Sequence, residues 1–151
     1  MLESANNKNI VEIYTDGACS GNPGAGGWGA ILLYKEHKKE ISGSQANTTN
    51  NQMELKAVIE ALKSLKKPSQ IIIYTDSVYV KDGITKWIIN WRKNGYRNAN
   101  KKPIKNLELW QELDSLNSLH QIEYKWIKGH SGNKYNEIAD QLAVSAVLRE
   151  K

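Results

Sequence analysis

Ile10-Val11-Glu12-Ile13-Tyr14-Thr15-Asp16-Gly17 and Gln70-Ile71-Ile72-Ile73-Tyr74-Thr75-Asp76-Ser77 decide how this chain folds. Each is a short apolar, β-branched run that ends in a carboxylate where turn residues begin, which predicts strands over 10–15 and 70–75. The Ile71-Ile72-Ile73 run is apolar throughout, as a central strand covered on both faces must be. Between the two runs, Met53, Ala57, Ala61 and Leu65 recur every fourth position with Val58 and Leu62 beside them. That spacing predicts a helix over 51–66, closed by Pro68. Strand, helix and strand in that order make parallel neighbours joined by a crossover. Parallel sheets collect their chemistry at the carboxyl ends of their strands, so Asp16 and Asp76 are expected to face each other there.

Outward from this unit, 17–29 is glycine-rich and carries Gly21-Asn22-Pro23-Gly24 as a turn signal. Strands are predicted over 28–34 and 38–44, joined by a charged turn at Lys35-Glu36-His37, so that the first part of the sheet is an antiparallel meander. Ser77 is a cap for a short helix, and Ile84, Trp87, Ile88 and Trp91 repeat at helical spacing. Asn106 is read as the cap of a helix over 107–119, 121–127 alternates as a strand, and Asn136 opens a last helix to about Leu148. The expected architecture is α/β: a five-stranded mixed sheet, antiparallel meander then parallel strands, with helices on both faces, in one domain over 1–151.

Composition narrows the function. The chain has 151 residues and a formal net charge of +5, which suits polyanionic partners. Cys19 is its single cysteine, so neither an internal disulfide nor a thiolate zinc cluster can form. Any metal must be held mainly by oxygen. No apolar stretch is long enough to span a bilayer, and the polar amino terminus lacks the apolar block of a secretory signal, so a cytoplasmic protein is expected.

Four carboxylates stand out in this frame. Asp16 and Asp76 end strands, and Glu54 and Asp140 are placed in the first turns of two helices. Singly, each has an ordinary explanation, since an Asp after a strand makes Asx turns and acidic residues complement a helix dipole. Together they converge on one end of the sheet. Carboxylates about 4 Å apart repel by roughly 4 kcal/mol even at an effective dielectric of 20. A cation must therefore sit among them, and an all-oxygen donor set suits Mg²⁺ or Mn²⁺.

The strings Tyr14-Thr15-Asp16-Gly17-Ala18-Cys19-Ser20-Gly21-Asn22-Pro23-Gly24, Thr48-Thr49-Asn50-Asn51-Gln52-Met53-Glu54-Leu55, Thr75-Asp76-Ser77, Lys128-Gly129-His130-Ser131-Gly132 and Asn136-Glu137-Ile138-Ala139-Asp140 closely resemble bacterial ribonuclease H of the type 1 class. The likeness spans nearly the whole chain, in order. It implies a ribonuclease H-like fold and endonucleolytic hydrolysis of the RNA strand of RNA/DNA hybrids, leaving 5′-phosphate and 3′-hydroxyl ends. It also implies that Asp16, Glu54, Asp76 and Asp140 hold two Mg²⁺ ions with substrate, Mn²⁺ being a substitute. Asp16 would bridge the ions, Asp76 would support the one that activates water, and Glu54 and Asp140 the one at the leaving group. Two divalent ions suit this reaction because attack on a phosphodiester adds charge to an anionic centre. His130 matches the family's catalytic histidine, whose imidazole titrates near neutral pH and can relay protons.

Substrate recognition is expected elsewhere. From Arg92 to Lys105 the chain carries Arg92, Lys93, Arg97, Lys101, Lys102 and Lys105 with no acidic residue, and Trp87, Trp91 and Trp110 flank it. Cations interleaved with aromatics suit phosphates and sugars of a nucleic-acid strand, and the stretch is similar to the family's basic protrusion. Trp87 and Trp91 fit core packing equally well. By the same resemblance Cys19, Asn22, Asn50 and Asn51 read the RNA 2′-hydroxyl, which is what separates RNA from DNA at a given sugar. Asn50-Asn51 also reads as a helix cap. Thr49 and Asn106 match a pocket for a DNA phosphate. Two positions depart from the pattern, Asn47 where an arginine often stands and Val78 where a polar residue often follows Thr-Asp-Ser. A free-standing monomer without obligate protein partner is expected. The alternatives are a non-catalytic nucleic-acid binding module on the same fold and a unit of a larger polymerase.

Overall fold

A computed structural model describes residues 9–129 and 131–151. Five strands form one sheet: β1 (Ile10–Gly21), β2 (Gly24–Tyr34), β3 (His37–Thr48), β4 (Gln70–Thr75) and β5 (Gln121–Trp126), in the order β3-β2-β1-β4-β5. β1, β2 and β3 are an antiparallel meander, while β4 runs parallel to both β1 and β5. This is the expected mixed sheet. The helices are α1 (Asn50–Lys63), α2 (Val78–Asp82), α3 (Ile88–Asn94), α4 (Leu107–Asn117) and α5 (Lys134–Glu150), with a π-helical turn, Gly83–Trp87, joining α2 to α3.

Helices cover both faces. On one, Leu55, Val58, Ile59 and Leu62 of α1 pack with Ile13 and Ile73 of the central strands and with Trp110 and Leu113 of α4. On the other, α5 lies across β1 and β2, with Ala139 against Tyr14 and Ile31. Each fully buried Leu or Ile contributes about 1.5–3 kcal/mol relative to an exposed one.

The meander is longer than its sequence suggested. Residues 17–29 are mostly strand, because the glycines there sit beneath helices. A Cβ on Gly29 would come within 2.5 Å of Leu142 Cβ, one on Gly27 would strike the Ala143 carbonyl, and one on Gly17 would lie 2.5 Å from Glu54 N. Close approach of the helix backbones therefore requires glycine, and the turn itself is confined to the two residues between Gly21 and Gly24. β1 consequently outruns its parallel partner. Its pairing with β4 ends at Tyr14↔Tyr74, while its pairing with β2 continues through Asp16↔Gly29 to Gly21↔Gly24. Asp16 thus lies inside a strand, and Asp76 lies just beyond one.

The helix limits also differ from those predicted. α1 begins one residue early, on an N-cap made by Thr49, so Asn50 and Asn51 are its first residues and not its cap. It ends at Lys63, with Ser64 as its C-cap, before Pro68. α5 begins on Asn133, whose side chain accepts from the backbone N–H of Tyr135 and Asn136 at 3.0 Å each, so Asn136 is inside the helix. Glu54 and Asp140 accordingly sit in second turns. Ser77 caps α2 as expected, accepting from Val80 N at 3.1 Å.

The basic stretch is tied down. Arg97 and Pro103 form an isolated bridge, Ile104 is buried, and Arg92 and Tyr96 both donate to the Asp114 carboxylate of α4. No helix among the described residues is long and apolar enough to cross a membrane.

Candidate active site

Three of the four carboxylates meet. Asp16, Glu54 and Asp76 each offer an oxygen, and these oxygens lie within 4.8 Å of one another. Asp16 is brought by β1 where β4 has ended, Glu54 by the second turn of α1, and Asp76 by the turn after β4. α5 supplies the fourth, Asp140, which comes close enough to Asp16 to help raise the Asp16 carboxyl. The four residues sit at the carboxyl end of β1's pairing with β4, where a parallel sheet opens to ligands.

The pocket is held from several sides. Gly17 N donates to Asp16 Oδ1 at 2.9 Å. Trp126 Nε1 donates to the Asp76 carbonyl at 3.0 Å, linking β5 to the turn that carries this carboxylate. A Cβ on Gly129 would lie 2.6 Å from Asp76 Oδ2, so the loop after β5 reaches the site because residue 129 has no side chain. Trp126 and Gly129 were not predicted as site residues. The sequence signal for Gly129 is its place beside His130 in a glycine-flanked loop; for Trp126 there was none beyond the alternation of β5.

The electrostatics are those of crowded like charges. Burial, then the charge of Asp76 and the neighbouring Asp140, push the Asp16 carboxyl up to about 8. Glu54, also buried, is raised well above the usual carboxylate range by burial and then by Asp16 and Asp76. Its Oε1 is buried without a hydrogen-bond partner among the described residues. A buried carboxylate oxygen lacking a donor is costly and calls for a cation or ordered water. The donor set, all carboxylate oxygen, suits a hard divalent ion. His130 lies outside the described residues.

Around the acidic cluster, the predicted binding residues separate into groups. Asn22 Oδ1 accepts from Asn50 N at 2.9 Å, joining the β1–β2 turn to the start of α1. Cys19 Sγ donates to the Thr48 carbonyl at 3.3 Å, and Asn51 is exposed beside them. Thr49 Oγ1 accepts from Gln52 N at 3.2 Å. Asn106 occupies the N-cap position of α4 but makes no capping bond; its side chain instead accepts from Gln52 Nε2 at 3.1 Å and donates to the Tyr79 hydroxyl at 3.0 Å. Lys101 and Lys102 are exposed on the basic stretch.

The tryptophans divide. Trp87 is 39% exposed, and Trp91, half-buried, lies 5.9 Å from it between ring centroids. Trp110 is fully buried, donates Nε1 to the Tyr79 hydroxyl at 3.0 Å and packs on Gly83. A ring with no exposed face cannot stack on a nucleotide, so the prediction that Trp110 binds substrate is corrected: it is core. A cavity of about 860 Å³ opens at the opposite end of the sheet, between Val11, Leu32, Leu65 and Leu119, and holds none of the candidate residues.

Comparison with known proteins places this arrangement. Residues 8–148 match the RNase H family. Proteins named Ribonuclease H from Dichelobacter nodosus and Ehrlichia canis are 60% and 61% identical over 144 and 141 residues, covering 94% and 93% of this chain and 96% and 97% of theirs. Among solved structures, the crystal structure of LC9-RNase H1, a type 1 RNase H with the type 2 active-site motif, superposes with a TM-score of 0.85 at 33% identity, covering 95% of this chain and 74% of that one.

Proposed function

The chain belongs to the ribonuclease H family, and from that premise we propose that it is a metal-dependent endonuclease hydrolysing the RNA strand of RNA/DNA hybrids to 5′-phosphate and 3′-hydroxyl ends. The observation that carries this reading is the meeting of Asp16, Glu54 and Asp76 within 4.8 Å, with a buried Glu54 oxygen still lacking a partner among the described residues.

Asp16, Glu54, Asp76 and Asp140 are the residues that would hold Mg²⁺, two ions when substrate is present, with Mn²⁺ as a substitute. Bound there, such ions activate water and neutralise charge on the transferred phosphate. The fold's part is to bring four acids from four separate elements to one point and to keep Asp16 and Glu54 poor at holding charge until a cation arrives. His130 is assigned to proton relay and product departure, so its replacement slows turnover without ending it. Asn22, Asn50, Asn51 and the Cys19 segment read the RNA sugar. Thr49 and Asn106 receive a DNA phosphate. Lys101, Lys102, Trp87 and Trp91 extend the grip along the DNA strand, where cations contact the backbone and an exposed ring can stack. The whole chain acts as one domain and as a monomer in the cytoplasm, with no obligate protein partner.

The test is incubation of labelled RNA/DNA, RNA/RNA and DNA/DNA duplexes with the protein, in Mg²⁺ and in chelator. Cleavage restricted to the RNA strand of the hybrid, stopped by chelator, is the expected result. Cleavage of all three duplexes alike contradicts the assigned discrimination, and salt-sensitive hybrid binding without cleavage identifies a binding module instead.

A further inference from the structure

Gln52 has no role in the assignments above, yet its polar groups meet three residues in two segments. Its backbone N–H donates to Thr49 Oγ1 at 3.2 Å, its Nε2 donates to Asn106 Oδ1 at 3.1 Å, and its Oε1 accepts from Thr48 Oγ1 at 2.6 Å. Thr48 in turn accepts, through its carbonyl, from Cys19 Sγ at 3.3 Å. Gln52 and Asn106 are 54 residues apart in the chain. We propose that Gln52 is a positioning residue that fixes the DNA-phosphate site of Thr49 and Asn106 in register with the RNA-reading segment around Cys19; this rests on reading Thr49 and Asn106 as that phosphate site.

Two physical arguments lead there. The first is polarity. An anion must meet donors, while a threonine hydroxyl and an asparagine amide each carry an acceptor as well. Gln52 occupies both acceptors, Thr49 Oγ1 with its backbone N–H and Asn106 Oδ1 with its amide. The Thr49 hydroxyl proton and an Asn106 N–H are thereby left to donate. The second N–H of Asn106 goes to the Tyr79 hydroxyl at 3.0 Å, which Trp110 Nε1 also holds at 3.0 Å. Asn106 is thus locked in one amide orientation.

The second argument is backbone strain. Asn106 has φ 59° and ψ 36°, a left-handed conformation uncommon for residues with a Cβ, which asparagine adopts more readily than most. Such a conformation persists only where its surroundings over-determine it. Here the bonds to Gln52 and Tyr79, one at each end of the amide, do so. Without Gln52 the Asn106 oxygen is free to turn toward the anion, and the two halves of the phosphate site lose their shared strut.

The experiment is steady-state cleavage by wild type, Gln52→Met and Gln52→Glu of a hybrid, and of versions in which single DNA phosphates are replaced in turn by neutral methylphosphonates, with melting temperatures measured in parallel. In wild type, one replaced phosphate is expected to raise KM. Gln52→Met, similar in size but with a side chain unable to hydrogen-bond, loses the bonds to both Asn106 and Thr48. It is expected to raise KM on the unmodified hybrid about tenfold, the scale of one to two part-buried hydrogen bonds, with kcat within about twofold. It is also expected to lose the sensitivity to that one phosphate. Gln52→Glu keeps the bond from Thr48 but sets an acceptor against Asn106 Oδ1, and is expected to raise KM further still. A Gln52→Met protein with wild-type KM, or one whose KM rises equally on every substrate while phosphate sensitivity survives, overturns the inference. Wild type indifferent to every replaced phosphate overturns the phosphate-site reading itself, and the inference with it.

Discussion

Asp16 and Asp114 are both partly or wholly withdrawn from water, and the fold treats them oppositely. Asp114 receives the Arg92 guanidinium and the Tyr96 hydroxyl, and Arg92's hydrogen bonds, the largest influence, hold its carboxyl below the usual range. Asp16 receives one backbone N–H and otherwise faces Asp76 and Asp140, and it is pushed up to about 8. A carboxylate with its partners supplied by the chain is framework, here the clamp that pins the basic stretch to α4. Carboxylates turned on one another are reserved for a partner that comes from outside.

Replacing each of the two acids by its amide separates the cases most sharply. Asp16→Asn is expected to lower kcat at least about a thousandfold, the scale of removing a principal stabiliser of transition-state charge. The same change relieves like-charge repulsion, so the metal-free variant is expected to melt no lower than wild type. Asp114→Asn is expected to do the reverse, retaining kcat on short hybrids while melting several degrees lower through loss of a charged, part-buried acceptor. Cleavage assays and calorimetric melting of the two variants check both halves, and equal loss of activity in both would erase the distinction.

A milder effect follows from pH. The folded-state value of Asp16 lies above its unfolded value of 3.8, so the folded protein binds the extra proton. Its contribution to stability is complete below about pH 4 and is lost as pH rises through about 8. Asp114 is shifted downward, so its contribution is present above about pH 4 and fades as pH falls through its lowered folded value. Metal-free wild type is therefore expected to lose stability between pH 4 and 8 relative to Asp16→Asn, and the difference is expected to shrink when Mg²⁺ is added. Denaturant unfolding at several pH values measures it; parallel curves for the two proteins would count against the shifted Asp16.

What the sequence disclosed and what it hid follow from the same contrast. Repetition of an apolar run ending in Asp gave the two central strands, and the alternation of Met53, Ala57 and Ala61 gave α1, because burial imposes a period that survives in one dimension. The length of β1 and β2 was hidden because Gly17, Gly27 and Gly29 are selected by the closeness of helices that the strand itself does not encode. Trp110 read as a binding residue since the chain shows an aromatic near cations, whereas its burial depends on Gly83 and Tyr79, far away in sequence. The capping of α1 by Thr49 and of α5 by Asn133 moved Glu54 and Asp140 into second turns, yet both still reach Asp16, so the acidic cluster tolerated errors of a few residues in element limits. Asn106 was legible as the head of α4 and, through the resemblance, as part of a phosphate pocket, but its bonds to Gln52 and Tyr79 in place of a capping bond were not, since both partners are far away in sequence.

The most direct test of the central claim is calorimetric titration of Mg²⁺, and separately Mn²⁺, into wild type and Glu54→Gln at constant pH in two buffers of different ionisation enthalpy. Saturable binding to wild type with proton release, abolished or strongly weakened in Glu54→Gln, is the predicted result, because a cation entering among Asp16, Glu54 and Asp76 must displace the protons that raised carboxyls retain. Binding of equal strength and proton count in both proteins, or none in either, would contradict it.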